Sequence, residues 1–295
     1  MENLPPIRQL QYLMALKEHK SFSRAAEACN VTQSTFSAGI AALENLLGHQ
    51  MINRSTRSLS FTALGEEICI KAKSVLYQSG EIISLAKRSG EGLAGPLRLG
   101  IIPTIAPYLL PALLPALNKD WPKLELQLHE DLSSNLLQKL ETGKLDILLL
   151  AFPFETSGFR QMTIFSEEFV LATSEKNDKA LDLNDIENMD LLLLEEGHCL
   201  RSHALAACRT QNPEIRKTFS TTSLPTLIQM VSNGYGVTLL PDMAAQKSVL
   251  PPNITIRRFL KPAPTREIGL VWHSGSPKDV DVKNLAKTIK SCQKS

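Results

Sequence analysis

Apolar positions in the first ninety residues recur at helical spacing. Leu10, Leu13, Met14 and Leu16 form one stripe. Ser21 suits the N-cap of a short helix through Ala28, with Arg24 and Glu27 exposed. Asn30-Val31-Thr32 breaks the pattern. Thr32 can cap a second helix from about Gln33 to Leu47 that stops at Gly48. Met51–Arg54 and Leu59–Phe61 read as short extended pieces, and the polar Ser55-Thr56-Arg57-Ser58 joins them into a small hairpin. Thr62 can cap a long helix from about Ala63 to Arg88, with Leu64, Ile68, Val75, Ile82 and Leu85 apolar. Such a helix has no core of its own, so it is expected to pack against a second copy as a dimer arm.

Gly90, Gly92 and Gly95-Pro96 read as the hinge. The pattern then changes to alternating strands and helices. Strands are predicted at Leu97–Ile102, Leu124–His129, Leu145–Ala151, Phe169–Thr173, Leu191–Leu194, Val237–Leu240 and Ile268–Val271. Helices are predicted at Tyr108–Leu117 and Ser133–Glu141, with more between the later strands. Alternation of this kind predicts a parallel or mixed sheet covered by helices, in a segment long enough for two α/β lobes. The expected division is 1–61 as a head, 62–90 as a linker helix, 91–96 as a hinge and 97–295 as a regulatory domain. Within the last, one lobe takes about 97–163 and 268–295 and the other about 164–267.

Composition narrows the class. The 295 residues are 43% apolar and 21% charged, an ordinary globular balance of about two domains. The longest apolar stretch, around Leu145–Phe154, falls short of the ~18 residues of a membrane helix. The start, MENLPPIRQLQ, lacks the basic-then-apolar form of a signal peptide, so a cytoplasmic protein without membrane contact is expected. The net charge of +2 announces no large basic field. Residues 1–90 are the more basic part, with ten Lys and Arg against seven Glu. The five cysteines, Cys29, Cys69, Cys199, Cys208 and Cys292, are an odd number, which argues against a disulfide framework and leaves room for a reactive thiol.

Two short helices joined by a three-residue turn have the layout of a helix-turn-helix, the second entering with Gln33, Ser34, Thr35 and Ser37. Short polar side chains there can meet base edges and phosphates in a major groove. Arg54 and Arg57 on the hairpin can reach the backbone or minor groove as a wing. The same Ser, Thr and Gln residues also serve as ordinary helix caps.

SFSRAAEACNVTQSTFSAGIAALENLLG, with NRSTRSLSFTALGE after it, resembles the winged helix-turn-helix of the LysR-type transcriptional regulators. Ala25-Ala26, Thr32-Gln33-Ser34, Ser37, Leu43-Glu44, Leu47-Gly48, Arg54 and Thr62-Ala63-Leu64-Gly65 carry the likeness. At Ala41-Ala42 many relatives carry a basic residue. The resemblance covers the whole chain. It implies a linker helix, a hinge, a two-lobed effector domain like the periplasmic binding proteins, and a dimer or dimer of dimers on double-stranded operator DNA. It also implies contact with RNA polymerase. Arg24, Thr32, Gln33, Ser34, Thr35, Ser37, Arg54 and Arg57 would form the DNA-contacting set.

The segment EEGHCLRSHALAACRT concentrates candidate chemistry. Cys199 follows His198 and precedes Arg201 and His203. Cationic neighbours and a helix N-terminus lower a thiol's pKa, and the thiolate is the form that attacks peroxide. If Leu200–Cys208 is helical, the two cysteine α-carbons lie roughly 13 Å apart at ~1.5 Å per residue. A disulfide needs about 7 Å, so oxidation would have to unwind the helix. From the residues alone, the plainer reading of both thiols as small buried hydrophobes is the more favoured one. His198/Cys199 and His203/Cys208 lack the paired spacing of a zinc site, and no cofactor is indicated.

LLLLEEGHCLR, GPLRLGIIPTIAPYLLP, TSLPTLIQMVSNGYGVTLLP and KPAPTREIGLVWHSGSP resemble the peroxide-sensing members of the LysR family. By that resemblance Cys199 would be peroxidatic and Cys208 resolving. Thr104 would position the peroxide, and Arg266 would stabilise the thiolate and polarise the departing oxygen. His198 would shape the pocket. Ser133 would supply a hydroxyl where relatives usually carry Thr. The plainer roles stay open: a satisfied strand-end hydroxyl for Thr104, a salt bridge to Glu267 or another carboxylate for Arg266, a structural histidine for His198. Cys29, Cys69 and Cys292 read as structural.

The expected function is a transcription factor, not an enzyme, that senses hydrogen peroxide and is reset by glutaredoxin or thioredoxin. A LysR regulator with a small organic effector between its lobes is one rival. A thiol peroxidase is another.

Overall fold

The computed structural model describes residues 4–54, 59–87, 93–177, 179–207, 221–246, 250–273 and 279–293. The chain divides into two compact units, the first essentially residues 1–89 and the second the rest.

The first unit is a helical head. Its helices are α1 (Ile7–His19), α2 (Phe22–Ala28), α3 (Gln33–Leu47) and α4 (Ala63–Lys87), with a hairpin of β1 (Ile52–Arg54) and β2 (Leu59–Phe61) before α4. The expected caps are in place. Ser21 Oγ accepts from the Arg24 N–H, Thr32 Oγ1 from Thr35 and Thr62 Oγ1 from Gly65. Asn30, at φ 54, turns the chain between α2 and α3, and Gly48, at φ 70, ends α3. Leu13, Leu16, Phe36, Ile40 and Leu43 are buried together, with the Tyr12 ring 4.9 Å from that of Phe36. Glu44 is buried with them because its Oε1 accepts from the Met51 and Ile52 N–H groups, which anchors β1 to α3.

The long helix α4 corrects one expectation. Its first half has a core after all: Cys69 and Ala72 are buried in the head, and Ile68 and Leu76 pack against it. Leu64, Ile70, Val75 and Ile82 are exposed, Ile82 the most. Burial pushes the Cys69 thiol up to about 11, in keeping with an inert structural residue.

The second unit is a mixed α/β structure. β3 (Gly95–Ile101) pairs in parallel with β4 (Leu124–Glu130) and β5 (Ile147–Phe152). β5 pairs antiparallel with β9 (Thr265–His273), and β9 with β6 (Phe159–Thr173). Beyond Glu168, β6 leaves β9 and pairs with β7 (Thr238–Pro241) and β8 (Thr255–Arg258). One strand thus hands the chain from one lobe to the other. Two cores result. One gathers β3, β5 and β9 with α5 (Ala106–Asp120), α6 (Ser133–Glu141) and α9 (Asp279–Cys292). The other gathers the far half of β6 and β7 with α7 (Cys199–Ala207) and α8 (Leu224–Ser232).

Several predicted elements shift. Gly95 and Pro96, read as part of the hinge, begin β3; Gly90 and Gly92 lie outside the described residues. Phe169–Thr173 is only the end of the fifteen-residue β6, and β8 was not predicted. Leu191–Leu194 is buried but forms a single bridge, Leu191 to Val237, instead of a strand. α5 outruns its predicted span despite Pro111 and Pro115. Both prolines are exposed, opposite buried Leu109, Leu113 and Leu117, so the carbonyls that lose their partners face solvent.

Two glycines of α4 behave oppositely. A Cβ on Gly65 would sit 2.2 Å from the Met51 carbonyl oxygen, whereas one on Gly80 meets nothing within 4 Å. Gly65→Ala is expected to destabilise the head by about 1–3 kcal/mol through overpacking. Gly80→Ala should stabilise it by up to about 1 kcal/mol. Thermal melting of the two variants checks the contrast; shifts of the same sign would contradict it.

Candidate functional site

β9 begins with alternation: Thr265 and Glu267 are exposed, Arg266 and Ile268 buried. On the neighbouring strand a register shift between Thr163 and Phe165 turns Phe165, Glu167 and Phe169 inward. Glu167 therefore stands directly opposite Arg266, just before β6 changes lobes. Arg266 Nε and Nη2 both lie 2.9 Å from Glu167 Oε2. Arg266 Nη1 donates to Thr104 Oγ1 and Nη2 to the Thr104 carbonyl, each at 3.1 Å. Glu167 Oε1 accepts from the Met243 N–H at 2.7 Å. The guanidinium is wholly buried and Glu167 nearly so. Burial pushes the Glu167 carboxyl up while Arg266 and the Met243 amide hold it down.

Of the partners considered for Arg266, the structure gives another carboxylate, Glu167, and not Glu267, and the pair is buried rather than at the surface. Glu267 is turned outward, and its carboxylate accepts from Thr163 Oγ1. Glu167, the actual partner, carried no signal without knowledge of the bulge that turns it inward.

Cys199 opens α7 and is buried. Its side chain joins the first core, although the next residues of the helix, Leu200 and Ala204, join the second. Burial raises the thiol pKa above its ordinary 9.0. Arg266, Ser133 and the backbone N–H groups of Leu200 and Cys199 itself favour the thiolate, in that order, without overcoming burial. Ser133 opens α6; its Oγ is buried and has no partner of standard hydrogen-bond geometry. It acts on the thiol as a weak, loosely aligned donor.

The expected depressed pKa is thus reversed, and the reason is local. His198 and His203 are not cationic, because burial lowers both below the ordinary imidazole value. Arg201 turns away, donating from Nη1 to the Leu194 carbonyl at 3.1 Å. Among the described residues, only the Arg266 charge favours the thiolate. His198 is buried beside Cys199 with Nε2 unpartnered. A cleft of about 680 Å³, lined among others by Phe152, Pro153, Thr265 and Arg266, opens beside the ion pair.

Thr104, Ser133, Cys199 and Arg266 are therefore brought together. Cys208 lies outside the described residues. With α7 helical over Cys199–Ala207, its ends stand about 12 Å apart. One further residue spans about 3.8 Å, so an intact α7 keeps any partner at position 208 beyond the ~7 Å of a disulfide. Among the described residues no cluster of His, Cys, Asp and Glu could hold a metal ion.

In the head, Arg24, Thr32, Gln33, Ser34 and Thr35 are exposed at the α2–α3 corner and Ser37 is half-buried. Thr32 Oγ1 lies within 2.9 Å of both Ser34 Oγ and Thr35 Oγ1, and Ser23 Oγ donates to Gln33 Oε1. Together they present a polar edge at the N-terminus of α3. Arg54 ends β1; its side chain, like Arg57 as a whole, lies outside the described residues.

A helix-turn-helix head followed by a two-lobed α/β domain defines a regulator with a sensory module. Residues 7–66 match the bacterial regulatory helix-turn-helix of the lysR family, and residues 90–292 match the LysR substrate binding domain. The chain belongs to the LysR family. It is 39% identical over 289 residues to the DNA-binding transcriptional dual regulator OxyR of Escherichia coli, covering 97% of this chain and 95% of that protein. It is also 39% identical over 281 residues to the regulator EstR of Acinetobacter baylyi, covering 94% and 93%. Full-length Pseudomonas aeruginosa OxyR carrying C199D aligns at TM-score 0.77 and 34% identity, over 97% and 95% of the two chains. A hydrogen-peroxide-bound cysteine mutant of Corynebacterium glutamicum OxyR aligns at 0.67 and 33%, over 99% and 96%.

The electrostatics set a reactivity test. Alkylation of Cys199 by iodoacetamide, followed by peptide mapping, should rise about tenfold per pH unit with no plateau below pH 9. Arg266→Gln removes the favouring charge and should slow the reaction several-fold at pH 8. A plateau near pH 6, or an unchanged rate in the variant, would contradict this picture.

Proposed function

We propose that this chain is a cytoplasmic transcription factor that senses hydrogen peroxide through Cys199 and Cys208. The observation that carries the reading is the setting of Cys199. It is buried at the start of a helix, against Arg266, Thr104 and Ser133, and that helix must unwind before a disulfide can form. The peroxide-bound OxyR of similar fold supports it.

In the proposed reaction the Cys199 thiolate attacks one peroxide oxygen. The O–O bond breaks, sulfenic acid forms, and the departing hydroxide takes up the thiol proton to leave as water. The Cys208 thiol then attacks the Cys199 sulfur. The S–S bond forms and a second water leaves. Thr104, whose oxygen already accepts from Arg266, keeps its own O–H to donate to peroxide. Ser133 supplies a second hydroxyl. Arg266 stabilises the thiolate and the charge on the departing oxygen, and His198 fills the pocket wall as a neutral ring.

Refolding of the Cys199–Cys208 segment would alter contacts between regulatory domains and, through the linker helices, the spacing of the heads. Exposed Val75 and Ile82 on α4 fit a dimer arm. A dimer of dimers on operator DNA, contact with RNA polymerase, and resetting by glutaredoxin or thioredoxin complete the proposal. The polar edge at Thr32–Thr35, with Arg24, Ser37, Arg54 and Arg57, is assigned to DNA. No helix among the described residues is long and apolar enough to cross a membrane.

Thiol trapping with intact mass and peptide mapping, after brief exposure to one equivalent of peroxide, tests the reading. The expected product is a Cys199–Cys208 disulfide that dithiothreitol reverses and Cys199→Ser abolishes. Cys199 left as a thiol while operator binding is intact would point instead to a small organic effector. Sustained peroxide consumption with a thiol reductant would point to a peroxidase.

A further inference from the structure

α7 is fastened at two levels. At its start, Cys199 enters the first core while Leu200 and Ala204 enter the second. One turn on, His203 is buried and its Nε2 lies 3.0 Å from the carbonyl oxygen of Pro153, the residue that follows β5. A carbonyl only accepts, so Nε2 carries the proton and donates. Nδ1 is then an unprotonated acceptor, buried and without a partner. Burial, with a smaller effect from the Arg266 charge, lowers the ring's pKa against the opposing pull of the Pro153 bond, which fits a neutral ring in this tautomer. His203 stands four residues after Cys199, on the same face of the helix. Its hydrogen bond ties α7 to the end of β5, fifty residues away in the chain.

We propose that His203 is a positioning residue for the thiol switch: its bond to the Pro153 carbonyl holds α7 in the reduced fold and thereby sets how readily Cys199 and Cys208 become a disulfide. The inference rests on the disulfide reading above. Closing that bond unwinds α7 and breaks the His203 contact, so the contact stabilises only the reduced form. Removing it takes from the reduced form alone a bond that the disulfide form does not make. The equilibrium should then move toward the disulfide, and the reduction potential should become more negative.

The test measures the Cys199–Cys208 equilibrium in glutathione buffers of graded ratio, by mass mapping, on full-length wild type, His203→Leu, His203→Asn and His203→Gln. Leu cannot donate and Asn falls short of Pro153, whereas Gln keeps a donor at similar reach. His203→Leu and His203→Asn are expected to favour the disulfide about tenfold, which is about 30 mV for a two-electron couple. His203→Gln should stay within about twofold of wild type. Melting of each redox form separates this role from general support of the fold. The positioning role lowers the melting temperature of the reduced form only. If His203→Leu does not fold, His203→Asn carries the comparison. Unmoved potentials, equal shifts in all three variants, or equal loss of stability in both redox forms would overturn the proposal. Absence of the disulfide in wild type at every buffer ratio would overturn it by removing the reading beneath it, and is recognisable as that failure.

Discussion

The buried pair of Arg266 and Glu167 is the constraint on which the sensory domain depends. The two residues face each other across β9 and β6, where β6 leaves one lobe for the other. An arginine with no solvent contact must have its charge and its N–H groups satisfied inside the protein. Glu167 supplies the charge, and Thr104 supplies two acceptors from the turn after β3. Glu167 is itself held by the Met243 amide. Three separate chain segments are thereby fixed around one cation. Among the described residues, that cation is also the only charge that favours the Cys199 thiolate.

The site balances two opposed effects. Burial keeps the Cys199 thiol protonated, while Arg266, Ser133 and the first amides of α7 favour its anion. A fully formed thiolate would react with many electrophiles. In the proposed switch, a thiol held near a prepared donor set is activated when a small molecule with a weak O–O bond enters. In the proposed switch α7 is the moving part. Its first residue belongs to one core and its next turn to the other, so the helix is shared between two packed bodies.

The legibility of these features in the sequence follows their range. The caps Ser21, Thr32 and Thr62, and the stops at Asn30 and Gly48, depend on one residue and its neighbours, and the helices they bound match their expected limits closely. β6 was read only from Phe169 onward, because Arg160, Gln161, Ser166, Glu167 and Glu168 interrupt its apolar pattern. That interruption hid the strand and its inward glutamate together. Leu191–Leu194 carries a strand's composition but obtains burial without ladder pairing. Cys199, Thr104, Ser133 and Arg266 were recognisable by resemblance, whereas the sign of the thiol pKa was not. It turns on how deeply His198, His203 and Arg201 are buried and on where they point.

Hydrogen exchange of the α7 amides tests the central claim most directly, because the switch requires this helix to exist in one redox state and not the other. The account expects residues 203–207 to be protected in the reduced protein and to exchange at least about a hundredfold faster after one equivalent of peroxide, with no change in Cys199→Ser. Equal protection before and after Cys199 oxidation would contradict it, since α7 would then persist through the event said to unwind it.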